Sequence, residues 1–148
     1  LRIGWMASHD KDLLYKCLIL REDTSEIMNV LGEHVALAAL KPGKYERLLA
    51  EAKEEGERGW SVVSDWISSS DVFDWVKPRA GFLSLPKYDL EIDSEEFCKR
   101  LIAEPYRTFI QPGIAYGIEK HIRLGIGGGN VNEIKEALKR IDRFIDDL

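Results

Sequence analysis

A chain of 148 residues, 45% hydrophobic and 32% charged with five prolines, has the composition of a folded globular protein and can bury a sizeable core. Its formal net charge of −5, with acids and bases mixed along the whole length, offers no basic face to a nucleic acid. The longest apolar run, Val35 to Leu40, falls far short of the ~20 residues that span a bilayer, so no membrane segment is expected.

Residues 1–8 are apolar and rich in strand formers, and they read as a buried strand without a lead-in turn. A domain that opens in the middle of its own core is expected to be a piece of a longer protein. The first residue is Leu1 rather than Met, so a targeting segment ahead of it stays open. Thr24 or Ser25 can cap a helix that carries Ile27, Val30, Leu31, Val35 and Ala38 at helical spacing, with Gly32 inside it. Lys41, Pro42 and Gly43 break that pattern.

A long helix is expected from about Lys44 to Ser68, with Tyr45, Leu48, Leu49, Ala52, Gly56, Trp60, Val63 and Ile67 on one stripe and charges opposite. Two strands follow, Val72–Lys77 and Gly81–Leu85, each stopped by a proline. Asp93 or Ser94 caps a short helix whose Phe97, Leu101 and Ile102 face inward, and Glu96 completes a box-like cap. Tyr106–Ile110 reads as a strand closed by Gln111, Pro112 and Gly113.

His121–Ile126 alternates, with Ile122, Leu124 and Ile126 on one face and His121, Arg123 and Gly125 on the other. The last helix begins at Asn130, has Glu133 three residues on, and turns Val131, Ile134, Leu138, Ile141 and Ile145 inward. The order is that of an α+β protein: a small sheet covered by helices on one side, behind a leading strand and helix that belong elsewhere.

Several chemical readings fail on spacing. The run from Gly125 to Gly129 follows a strand and precedes a helix, but the last glycine of a dinucleotide fingerprint is Asn130, and no second strand follows. A tight strand-to-helix turn with an asparagine cap fits better. His9, His34 and His121 form no ligand spacing and no cysteine pair accompanies them, so no metal site is expected. Cys17 and Cys98 lie among apolar neighbours and read as buried free thiols of a reducing cytoplasm. Trp5, Trp60, Trp66 and Trp75 are most economically core residues.

Two arginines remain. Arg2 sits between Leu1 and Ile3, and Arg123 between Ile122 and Leu124 with glycines beyond. Each can be an ordinary edge-strand cation that reaches for water. Burying such a group without an anion is costly, and a planar fork suits a carboxylate or a phosphate, so each is also a candidate anchor for an anionic ligand.

The sequence resembles the class I/II (fold type I) pyridoxal-phosphate aminotransferases, of the aspartate-aminotransferase-like kind. Leu1 to Trp5 is similar to the tail of their signature, which begins with a lysine eight residues before the arginine. Val76 to Phe82 is similar to a P-x-G-G-F strand, with Ala80 at the first glycine, and Glu96 to Leu101 is similar to a helix of the family. Gln111 to Gly117 resembles a PGsaFG loop, with Tyr116 where Phe is usual, and Ile122-Arg123-Leu124 matches a substrate-binding strand. Asn29 to His34 departs from the family pattern at the start of the linking helix.

The resemblance implies that residues 1–40 are the end of a large cofactor domain with its linking helix, and residues 41–148 the small C-terminal domain. It implies pyridoxal 5′-phosphate as cofactor, amino acid and 2-oxo acid as substrates, and a homodimer. Arg2 would bind the cofactor's phosphate and Arg123 the substrate α-carboxylate. The lysine that carries the cofactor would lie ahead of residue 1, leaving these 148 residues inactive alone. A decarboxylase or synthase of the same fold would share both arginine roles. From another class, a stand-alone α+β module that binds a ligand or partner without catalysis is the alternative.

Overall fold

The computed structural model describes residues 3–25, 29–126 and 130–148. It divides into two units, Leu1–Glu51 and Ala52–Leu148, with the division inside a helix.

In the first unit the described part of the expected leading strand, from residue 3 on, does not form a strand. Residues 3–7 are irregular, and from Gly4 to Asp10 they are exposed. No strand runs beside them among the described residues, and strand formers without a ladder partner gain nothing from extension. Trp5, expected in the core, is 77% exposed. A helix that periodicity does not reveal follows, α1 (Lys11–Ser25), started by Asp10, whose carboxylate accepts from the Leu13 amide at 2.9 Å. Its charges and apolar residues are spread around the helix, and it buries none of them.

Thr24 and Ser25 therefore close α1 rather than open the next helix, and the Thr24 hydroxyl donates back to the Leu20 carbonyl at 2.8 Å. The cap of α2 (Val30–Ala39) is Asn29, whose side-chain oxygen accepts from the Gly32 amide at 2.9 Å. Asparagine competes better than threonine for this position, because its carbonyl reaches the first free amides of the helix. Leu31, at 81% exposed, and Leu37 leave α2 with apolar surface facing outward.

Helix α3 (Lys44–Ser68) has the expected bounds, and its length of 25 residues gives roughly 37 Å at 1.5 Å per residue. In the second unit its stripe of Gly56, Gly59, Trp60, Val63 and Ile67 is buried. The strands are shorter than the sequence suggests: β1 (Phe73–Asp74), β2 (Leu83–Ser84), β3 (Lys87–Tyr88), β4 (Gln111–Pro112) and β5 (Ile122–Gly125). β1 pairs with β3, and β2, β5 and β4 form a separate antiparallel sheet in that order, with β5 central.

Tyr106–Ile110 is not a strand. Arg107 has a φ of 47°, in the left-handed region, and one such residue breaks an extended run. Helix α4 (Ser94–Ile102) is capped by Asp93, which accepts from the Glu96 amide at 2.8 Å. Phe97 and Leu101 are buried, but Ile102 is 51% exposed. Helix α5 (Val131–Asp146) begins with a full capping box between Asn130 and Glu133.

The core lies where α3, α4 and α5 close on these strands, and a chain of rings runs through it. Tyr88 stacks on Phe97 with centroids 4.9 Å apart, Phe97 meets Phe144 edge-on at 4.9 Å, and Phe144 meets Tyr106 at 5.2 Å. Trp60 is buried and Trp66 and Trp75 are half-buried against the same core. Among the described residues, no helix is long and apolar enough to cross a membrane.

Candidate functional site

The central strand β5 decides which way Arg123 faces. Ile122 and Leu124 are buried on the core side, so strict alternation turns Arg123 to the opposite face, where it is half-buried. In the antiparallel register Gln111 on β4 stands directly opposite Arg123, which puts both side chains on one face at touching distance.

The chain then returns over that pair. After Gln111 and Pro112 comes a single 3-10 turn, Gly113–Tyr116, closed by Gly117 at a φ of 75°, a left-handed conformation that glycine adopts without steric cost. The Gly113 amide donates to the His121 carbonyl at 2.7 Å, tying the start of the turn to the approach of β5. The Ile114 amide donates to the hydroxyl of the buried Ser94 at 3.1 Å, tying the turn to the first residue of α4. These anchors bring Tyr116 back onto Arg123.

The result is a closed polar cluster. Arg123 Nη1 donates to Gln111 Oε1 and, at 2.9 Å, to the Tyr116 hydroxyl oxygen. The Tyr116 hydroxyl donates onward to Gln111 Oε1 at 2.6 Å. The guanidinium carbon lies 5.7 Å from the centre of the Tyr116 ring, within cation–π range. The ion pairs found among the described residues join side chains three or four positions apart on exposed surface, mostly along helices, and Arg123 is in none of them. Its charge is held by two neutral groups, and no carboxylate among the described residues pairs with it.

Arg123 also borders a cleft of about 120 Å³ lined by Thr108, Phe109, Ile110 and Gly125 among others. That holds a few waters at ~30 Å³ each and is well below the roughly 300 Å³ where small-molecule pockets begin. A ligand on Arg123 therefore needs further walls beyond this cleft.

Arg2, the sequence's candidate for a phosphate, lies outside the described residues. Gln111 and Tyr116 are the residues that sequence reasoning missed. A signal existed for Tyr116, an oxygen-bearing side chain in a loop where Phe is usual, but its partner could be found only from the strand register.

No family model matches the chain. It is 25% identical over 126 residues to capreomycidine synthase of Streptomyces vinaceus, covering 84% of this chain and 31% of that protein. A PLP-dependent aminotransferase from Streptococcus suis 89-1591 superposes with a TM-score of 0.85 at 23% identity, over 99% of this chain and 38% of that one. The PLP-dependent cyclase OrfR gives 0.79 at 26% identity, over 92% of this chain and 37% of its own. An aromatic aminotransferase from Pyrococcus horikoshii OT3 gives 0.78 at 20% identity, over 91% and 36%. The chain thus spans 31% to 38% of the length of these proteins. It has the fold of the carboxyl-terminal part of the fold type I, PLP-dependent aminotransferases, the family its sequence resembles.

Proposed function

We propose that the chain is the substrate-gripping, carboxyl-terminal part of a PLP-dependent aminotransferase that moves an amino group between an amino acid and a 2-oxo acid. The observation that carries this reading is the state of Arg123: half-buried, held by neutral oxygens, and in no ion pair among the described residues. A guanidinium so placed keeps its charge and can offer parallel N–H groups, the geometry that recognises a carboxylate bidentately. Both substrates of amino transfer carry that carboxylate, so one residue serves both half-reactions. Fixing the carboxylate also fixes how the bonds at the substrate's Cα are presented to the reacting centre.

Pyridoxal phosphate, when bound, supplies the electron sink that makes those bonds labile. Within these 148 residues, Arg2 is the proposed holder of its phosphate. The lysine that carries the cofactor and moves the proton is proposed to lie outside them, since none of the lysines present occupies the position that the resemblance gives it. Residues 1–40 belong on this reading to the end of the large domain and residues 41–148 to the small one, and two copies form a homodimer in the cytoplasm. The match over 38% of a full aminotransferase chain supports the division of labour.

A synthase or cyclase of the same fold is the second reading, favoured by the names of the relatives at 25% and 26% identity. The full-length product, loaded with the cofactor and offered a panel of amino acids, separates the two. Amino transfer consumes a 2-oxo acid acceptor and yields a new 2-oxo acid in equal amount, whereas ring closure or another synthase step proceeds without the acceptor. The 148-residue chain by itself should give no turnover and no cofactor absorbance that survives gel filtration. A band that survives and maps to one of its lysines would contradict that part of the proposal.

A further inference from the structure

We infer that Gln111 and Tyr116 are positioning residues that decide which edge of Arg123 meets the substrate; this rests on the carboxylate role proposed for Arg123. A guanidinium has five N–H donors in a fixed plane. Nη1 is occupied by two neutral oxygens, Gln111 Oε1 and Tyr116 Oη. Among the described residues Nε and Nη2 make no hydrogen bond, and together they form the side-on edge, with two parallel N–H groups.

The cluster has one proton arrangement that satisfies it. Tyr116 oxygen accepts from Arg123 and gives its own hydrogen to Gln111, whose single oxygen accepts from both. Reversing the tyrosine hydrogen would aim it at a guanidinium that has nothing to accept it. The amide at 111 must therefore keep its oxygen toward Arg123, and the arginine cannot swing without breaking bonds to both partners. Neutral acceptors fix the plane while leaving the charge for the incoming carboxylate. A glutamate at 111 would instead occupy the arginine with a carboxylate of the chain's own, and a phenylalanine at 116 would remove one acceptor and the bridge to Gln111.

The test uses the full-length product and pyruvate as the probe, a 2-oxo acid with one carboxylate, titrated calorimetrically. Y116F should weaken pyruvate binding about fivefold, the scale of one ordinary hydrogen bond. Q111E, which keeps the size of the side chain and so the packing, should weaken it more, about tenfold or beyond, because its carboxylate competes for the same cation. For any amino acid the wild type turns over, both changes should appear mainly in KM rather than kcat, a split that general loosening of the fold would not give. If R123A abolishes pyruvate binding while Q111E and a folded Y116F bind it like the wild type, the positioning role is overturned and the carboxylate role stands. If R123A itself binds pyruvate like the wild type, the underlying reading falls and this inference with it.

Discussion

The Gly113 amide donates to the His121 carbonyl at 2.7 Å, and a methyl group on Gly113 would stand 2.7 Å from both that oxygen and the His121 Cβ, and 2.3 Å from the Ile118 carbonyl. Backbone surrounds the position, so nothing cheap can move. Gly113→Ala should cost about 1–3 kcal/mol or more, the usual scale of overpacking. It should also displace the turn that delivers Tyr116. The urea midpoint and pyruvate affinity of the full-length product, measured together, check both effects. A variant with unchanged stability would mean that the turn opens more easily than its contacts imply.

Phe144 is fully buried between Phe97 and Tyr106, with centroids 4.9 and 5.2 Å away. Phe144→Ala should destabilise by about 3–5 kcal/mol, since three helices and the ring chain cannot collapse into the space. Chemical denaturation checks it. A loss under 1 kcal/mol or so would place Phe144 outside the cooperative core.

Burial pushes the Cys98 thiol up to about 12, and burial, with the nearby Glu119 carboxylate adding to it, pushes the Tyr88 phenol up as well. Both groups hold their protons more tightly folded than unfolded. The stability this provides is full below the unfolded thiol's range, near pH ~8.5, and is lost as pH rises toward about 12. Denaturation midpoints should therefore fall across that window, and Cys98→Ala should flatten the lower part of the slope. At pH ~8 Cys98 should resist alkylation until the protein unfolds. Rapid native labelling of Cys98 would show that its neighbourhood opens.

Asn130 accepts from the Asn132 and Glu133 amides at 2.9 and 3.1 Å, while Glu133 reaches back to the Asn130 amide. Asn130→Ala should cost about 1 kcal/mol of stability, and Asn130→Asp close to nothing, because aspartate caps equally well. Equal losses for both would assign Asn130 a role other than capping.

How much was legible depended on where the structural signal lies. Helices α3, α4 and α5 could be read because each combines an apolar stripe with a break or cap in the adjoining few residues, such as Pro42-Gly43, Asp93 and Asn130. Helix α1 buries nothing and so carries no periodic mark that would fix its bounds. Strands of two residues are too short to alternate, so β3 and β4 leave no periodic mark, and β1 and β2 are shorter than the runs Val72–Lys77 and Gly81–Leu85 that contain them. Arg123 was legible from alternation on β5. Its partners were not, because Gln111 reaches it by cross-strand register and Tyr116 by a 3-10 turn, and neither relation leaves a local pattern.

The most direct measurement is amino transfer by the full-length product, wild type against R123K and R123A. Substrates should be supplied as matched pairs: an amino acid, its 2-oxo acid, and the amine that lacks the carboxylate. The wild type should convert an amino acid and a 2-oxo acid acceptor in equal amounts. R123K keeps the charge but loses the fork, and should weaken carboxylate substrates by about 1–3 kcal/mol. R123A should lose more, for the amino acid and the 2-oxo acid alike, and neither variant should change the reaction of the amine much. Equal losses on the amine, or full activity in R123A, would contradict a carboxylate grip at Arg123.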